Sequence, residues 1–321
     1  MLSFHNFISI VQLFKCTTFI FILLDLVCRG NFAIAQQPSI GDSIASDTLY
    51  RKRLIAVTLT ESVLYTGSMT GLYSLWYKDY PQSGFHFIND NREWLQMDKF
   101  GHVTTSYYVG KIGYGSLRWA GLSEKKSVWY GGLTGLAYLT TVEVFDGFSA
   151  EWGASAGDVA ANTLGAALFI GQQLAWHEQK VVMKWSFHAT DYAQYNPGQL
   201  GSNLPQRMLK DYNGQTYWLS ANLNSLVFRQ TNFPKWLNIA FGYGAEGMTG
   251  ANGNPDVING QPIPYSERYR QFYISPDIDL SRLPVKSKTL KLILNTIGFI
   301  KIPMPAVEFN KKGVKLLGIY F

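Results

Sequence analysis

Cysteine is nearly absent from this 321-residue chain: Cys16 and Cys28 are its two, and both fall within the first thirty residues. Loss of that leader leaves a chain with no disulfide and no thiolate. Any metal must then rest on His, Asp and Glu. Charge is scarce as well. Asp, Glu, Lys and Arg make up 16% of the residues, against roughly 25% in a typical soluble domain. Beyond the leader, no run of basic residues exceeds Arg51-Lys52-Arg53, so no nucleic-acid partner is expected. A net charge of +6 with a pI near 9.1 suits a surface facing anionic lipid better. The familiar reaction motifs are missing too. There is no His-Glu-x-x-His and no Glu-x-x-His. Ser149 and Ser155 lack the setting of a nucleophile elbow. Gly113-Tyr114-Gly115 lies in a helical run without the strand that precedes a phosphate-cradling loop.

What is present begins with an export signal, residues 1–35. Lys15 supplies an early positive charge, residues 17–24 form a short apolar core ended by Asp25, and Ala33-Ile34-Ala35 is a small-residue cleavage site. The long apolar start leaves an uncleaved anchor open. Asp25-Leu26-Val27 are not the small residues expected before a lipidated Cys28. Residues 36–50, with Pro38, Gly41 and several serines, read as a linker.

The fold class expected is α+β: an N-terminal four-helix, membrane-type, Gly/Ala-rich bundle in a helical domain (51–180), then a β-rich region (181–321). The helices are expected at 54–77, 98–122, 128–145 and 157–177, each long enough to cross a bilayer. Gly67 and Gly71, and Gly131 and Gly135, are spaced one turn apart, which permits close helix approach. Asp98 suits an N-cap, and Ser127 can cap the third helix. Further on, partly alternating segments at 218–227, 236–244, 269–278, 290–302 and 314–321 read as strands divided by turn residues; 290–299 reads equally as a helix. The chain ends on Phe321 after alternating apolar residues, like the closing strand of an outer-membrane barrel. Five strands are too few for the usual single-chain barrel, so a sheet packed on the helices or a partial barrel is expected.

The chemistry concentrates in a few polar residues set in apolar helices. Glu143 and Asp146 share a helix face, as do Asp158 and Asn162, and His102 sits one turn after Asp98. Buried acids are costly unless paired or bound, so these groups are expected to converge between helices. Two readings follow. His102, Glu143, Asp146 and Asp158 are residue types that bind a divalent metal between helices and could act as acid and base in hydrolysis. Alternatively, Asp98, Lys99, Ser155 and Asn162 join them in a structural network. Lys99 would pair with Glu143 or Asp158, Ser155 and Asp158 would cap the fourth helix, and Asn162 would bond across helices.

The ordered pattern Asp98-Lys99-x-x-His102, Glu143-x-x-Asp146, Trp152-x-x-Ser155-x-x-Asp158-x-x-x-Asn162-x-x-Gly165, over residues 95–176, resembles the YfiM-like family of predicted periplasmic or envelope lipoproteins of unknown function. Asp-Lys-x-x-His opening an apolar helix is also similar to VanZ-like membrane proteins. The resemblance implies an envelope location and no established activity. The leading expectation is an exported, membrane-associated envelope protein with a structural or interaction role. Its expected partners are membrane lipid and another envelope protein. A metal-assisted hydrolase or lipid-modifying enzyme, and an outer-membrane channel or carrier, are the alternatives.

Overall fold

The computed structural model describes residues 43–229 and 231–321. The export signal, both cysteines and the start of the expected linker lie outside the described residues. Helix α1 (Ser43–Leu72) begins inside the segment read as linker and passes into a π-helical turn, Tyr73–Tyr77. Its part up to Thr60 falls in one unit, and residues from Glu61 to Phe321 form the other. The helical and β-rich regions therefore share one unit.

Within the larger unit, β1 (Phe87–Ile88) precedes α2 (Met97–Ala120), α3 (Glu124–Gly132) and α4 (Thr134–Gly147). Then come β2 (Ala154–Ser155) and α5 (Ala156–Trp176). Strand β1 pairs in parallel with β2. The expected third helix is thus two helices, broken at Leu133. Gly131, Gly132 and Gly135 let these helices approach their neighbours: a Cβ on Gly135 would stand 2.1 Å from the Ser106 carbonyl, and one on Gly131 2.2 Å from the Tyr114 nitrogen. The caps differ as well. Ser123, not Ser127, caps α3, and Asp98 lies inside α2, whose first turn it shares with Lys99. No described helix is long and apolar enough to cross a membrane, which corrects the membrane-type reading. Gly131, Gly132 and Gly135 serve packing of helix on helix near Tyr107, Val128, Phe169 and Ile170, whereas Gly67 and Gly71 have nothing within 4 Å of a Cβ, so the close approach expected there is not seen.

The β region holds a six-stranded antiparallel sheet in the order β10-β9-β8-β5-β4-β3. Its strands are β3 (Val181–Phe187), β4 (Gln215–Asn222), β5 (Leu237–Glu246), β8 (Tyr269–Ile278), β9 (Met304–Asn310) and β10 (Gly313–Tyr320). A small hairpin, β6 (Val257–Ile258) and β7 (Gln261–Pro262), lies outside it. The segment 290–302 is mostly helix α6 (Lys288–Thr296), capped by Ser287, so the helical reading of 290–299 holds over that of a strand. Strands β3 and β9 are additions to the expectation, although Met183–Phe187 and Val307–Asn310 alternate apolar and polar residues.

The sheet curls strongly. In a flat sheet β10 and β4, four strand spacings apart, would lie roughly 19 Å from each other. Yet the Tyr320 hydroxyl of β10 is 2.9 Å from the Thr216 hydroxyl of β4. The far edge closes the same way: Trp185 of β3 bridges to Ile300, and the Lys301 amide donates to the Trp185 carbonyl at 2.9 Å. The interior is filled by Trp218, Tyr273, Ala240 and Ala306 and by a wholly buried Lys184–Asp277 pair at 2.7 Å, with Lys301 beside it at 3.7 Å. This packed interior lends no support to a channel. Helix α2 covers part of the outer face, where Met97 packs with Tyr217 and Tyr243, and Phe100 stacks on Tyr243 at 4.5 Å.

Candidate functional site

The expected polar residues meet at the start of α2. Three consecutive residues, Trp94, Leu95 and Gln96, have left-handed backbones (φ 47, 51 and 67°). That conformation is unfavourable for residues other than glycine by roughly 1–2 kcal/mol each. It is held by surrounding bonds: the Trp94 amide donates to the Ala251 carbonyl at 2.9 Å, the Gln96 amide group to the Asn91 carbonyl at 2.6 Å, and Arg270 to Gln96 Oε1 at 2.6 Å. The tight left-handed turn aims α2 so that Asp98, Lys99 and His102 face α4 and α5.

Lys99 is the centre of the group. Its Nζ lies 2.6 Å from Asp90 Oδ2, 3.0 Å from Asp98 Oδ2 and 2.7 Å from Asp158 Oδ1. It pairs with Asp158 as expected, and not with Glu143. Asp90, in the loop before α2, is a member outside the expected set; the signal available was its place in Asn89-Asp90-Asn91. Its Oδ1 accepts from the Ser155 hydroxyl at 2.5 Å. Ser155 in turn caps α5, accepting from the Asp158 amide at 3.2 Å, and its own amide donates to Glu143 Oε2 at 2.9 Å.

His102 occupies the next turn. Its Nδ1 is 3.0 Å from Asn162 Oδ1 and 3.8 Å from Glu143 Oε1; its Nε2 is 3.8 Å from Asp158 Oδ1 and 4.0 Å from Asp98 Oδ1. Burial opposes the imidazolium, but Asp98, Asp158, Glu143 and the Asn162 bond together raise its pKa above the ordinary value. Asp158 is pushed up to about 8, first by burial and then by Asp98, against the pull of His102 and Lys99. Burial also raises Glu143, whose Oε1 has no hydrogen-bond partner. The Tyr212 hydroxyl donates to Asp98 Oδ1 at 3.1 Å, tying the β region to the cluster.

Asp146 is not part of this contact set. It accepts a hydrogen bond from the Tyr77 hydroxyl at 2.6 Å, and burial raises it to about 7. Of the four residues expected to bind metal, His102 and Asp158 come together with Asp98, one donor atom of each lying within 4.8 Å of the others. Glu143 approaches the opposite nitrogen of His102, and Asp146 stands apart. Chemically the cluster can hold a cation or exchange a proton. Asp90, Asp98, Glu143 and Asp158 oppose Lys99 and His102, so carboxylates outnumber cationic groups.

Residues 85–171 match a family described as a predicted periplasmic lipoprotein (DUF2279). The matched segment runs from just before β1 through most of α5 and contains Asp90, Asp98, Lys99, His102, Glu143, Ser155, Asp158 and Asn162. Nothing among the curated proteins or the solved structures matches the chain. The description agrees with the resemblance at the level of an exported envelope protein of unknown function; the YfiM-like and VanZ-like names do not come with it. An exported protein at the periplasmic face of the cell envelope is the location it gives.

Proposed function

We propose that this is a non-enzymatic envelope protein with a scaffolding or binding role, and that its polar cluster is a structural clasp. One observation carries this: the Lys99 ammonium already occupies the point between Asp90, Asp98 and Asp158, where a hydrolytic metal would be sought. The clasp joins three separate pieces of chain: the loop before α2, α2 itself and the start of α5. Two open cavities, one beside Tyr192 and Tyr265 and one on the sheet, are lined by no residue of the cluster. A reaction centre needs room for substrate, and neither cavity provides it there. Metal content and urea unfolding of wild type, Lys99→Met and Asp158→Asn test the proposal. The clasp requires substoichiometric metal in all three. It also requires Lys99→Met to lose about 3–5 kcal/mol, since removal of one partner strands buried carboxylates.

A second reading has its own support. Four carboxylates face two cationic groups, and the donor atoms of Asp98, His102 and Asp158 converge. A divalent cation held there would balance the excess charge. Stoichiometric metal in the wild type, lost from a folded Asp158→Asn variant, would favour this reading over the clasp.

A further inference from the structure

The curled sheet is inverted in polarity. Its inner face carries Lys184, Ser220, Gln271, Asp277 and Glu308, all buried, around the core of Trp218 and Tyr273. Its outer face, beyond the part that α2 covers, exposes Phe241 (51%), Phe272 (51%), Phe309 (39%) and Leu316 (82%). The register makes these one patch: Phe272 opposes Phe309, and Ile274 opposes both Phe241 and Val307, which in turn opposes Leu316. Charge inside and apolar residues outside is the alternation of strands that face lipid; a water-facing sheet has the reverse.

Towards one end of the patch the sheet opens into a groove. Pairing of β8 with β9 stops after Ile274 and Val307, and Pro276 and Pro305, which lack an N–H, follow on the two strands. The gap between them is an apolar groove of about 560 Å³ lined by Leu237, Ile239, Ile274, Pro305 and Leu316 among others. Helix α6 joins the end of β8 to the start of β9, so it belongs to the same end of the sheet. Its apolar stripe and the turn after it face outward: Leu290 is 43%, Ile293 49% and Ile297 37% exposed. Residues 283–307, which contain α6, include Lys286, Lys288, Lys291 and Lys301 and no acid, and Lys286 and Lys291 are exposed. Lys235, also exposed, lies just before β5 at this end.

We propose that the outer face of β5-β8-β9-β10, its groove and helix α6 form a docking surface for an anionic phospholipid bilayer. Acyl chains meet Phe241, Phe272, Ile274 and Leu316 and enter the groove. Helix α6 lies at the headgroup level with Leu290 and Ile293 down, and Lys235, Lys286 and Lys291 meet the phosphates. The occupant is lipid because an apolar surface with a basic, acid-free margin complements an anionic bilayer. The proposal rests on the envelope location and is independent of the Lys99 clasp.

The test uses the full chain with Cys16→Ser and Cys28→Ser, and a fluorophore on Leu316→Cys or, as the control, on exposed Gln261→Cys in the β6–β7 hairpin. Vesicles of phosphatidylglycerol and phosphatidylethanolamine, with and without brominated acyl chains, are added. The Leu316 probe should brighten, shift to the blue and be quenched by the brominated chains, while the Gln261 probe should not respond. Lys286→Glu with Lys291→Glu should weaken the response by roughly tenfold, as should high salt. If the protein floats with the vesicles while the Leu316 probe stays unchanged, the proposal fails and attachment lies elsewhere. If the probe responds equally to raised protein concentration without lipid, a second copy is the occupant and the bilayer is not.

Discussion

Single side chains decide how the helical half responds to pH. Asp146 is half-buried, and its carboxyl is pushed up to about 7 by desolvation, against the opposing bond from Tyr77. A raised folded pKa means the native state holds a proton that the unfolded chain has released. Asp146 therefore contributes fully to stability below about pH 4 and loses that contribution as pH rises towards 7. Asp146→Asn retains an acceptor for Tyr77 and does not titrate. The variant should match wild type near pH 4 in urea unfolding and exceed it near pH 8. The gap should grow by about 1.4 kcal/mol for each pH unit between the two pKa values; equal slopes for the two proteins would show that Asp146 is ionised in the native state. His102 acts with the same sign: its folded pKa is raised, so its contribution is present at low pH and lost as pH climbs through the folded value. At this scale much was legible in the sequence. Acids in apolar helices require partners, and Asp158, His102, Asn162 and Ser155 find them. Asp90 was not legible, because a loop aspartate between two asparagines looks solvated until the left-handed turn at Trp94, Leu95 and Gln96 folds it inward.

Elements in the helical half are placed by glycine, and the glycines separate into two kinds. A Cβ on Gly135 would stand 2.1 Å from the Ser106 carbonyl, and one on Gly165 2.3 Å from the Val103 carbonyl. Both face α2 at backbone contact. Gly115, inside α2, has nothing within 4 Å of a Cβ. Gly135→Ala should force α2 and α4 apart and cost about 1–3 kcal/mol, the range for overpacking. Gly115→Ala should instead stabilise by up to about 1 kcal/mol through helix propensity alone. Thermal unfolding of the two variants side by side checks the opposite signs; a shift in the same direction for both would mean that crowding does not govern α2. The regular spacing of small residues was visible in the sequence, and it read as membrane packing because close helix approach looks the same in lipid and in a protein interior. What distinguishes them is the polar load of the helices: Lys99, His102, Glu143 and Asp158 are tolerable here because each lies close to oppositely charged or hydrogen-bonding groups. Strand β3 was missed although its pattern was present. It alternates from Met183 to Phe187, but its polar face, Lys184 and Ser186, is buried with Met183, so the run does not have the water-facing polar side of an ordinary half-buried strand.

The larger unit as a whole is tied together by contacts that skip across the chain. Tyr212 reaches from the β region to Asp98, and Tyr108 donates to the Met183 carbonyl at 2.5 Å. Tyr243 donates to the Leu95 carbonyl that helps hold the left-handed turn. The curl of the sheet depends in the same way on one terminal residue. Tyr320 stacks on Tyr273 with ring centres 4.4 Å apart, meets Trp218 edge-on at 6.0 Å and bonds Thr216, so it joins β10 to strands that a flat sheet would keep remote. Truncating such a ring removes its packing and leaves space beside Trp218, which for large aromatic side chains costs about 3–5 kcal/mol. If the helices and the curled sheet fold as one cooperative body from Glu61 onward, the loss must appear everywhere at once. Tyr320→Ala should move helical ellipticity and tryptophan fluorescence to the same lower urea midpoint, although the altered residue touches no helix of the clasp. Lys99→Met should move both signals together from the opposite end of the unit. Two separated transitions in either variant, with the helical signal of Tyr320→Ala staying at the wild-type midpoint, would mean that the clasp and the sheet are independent folding units and that the tyrosine bridges between them carry little energy.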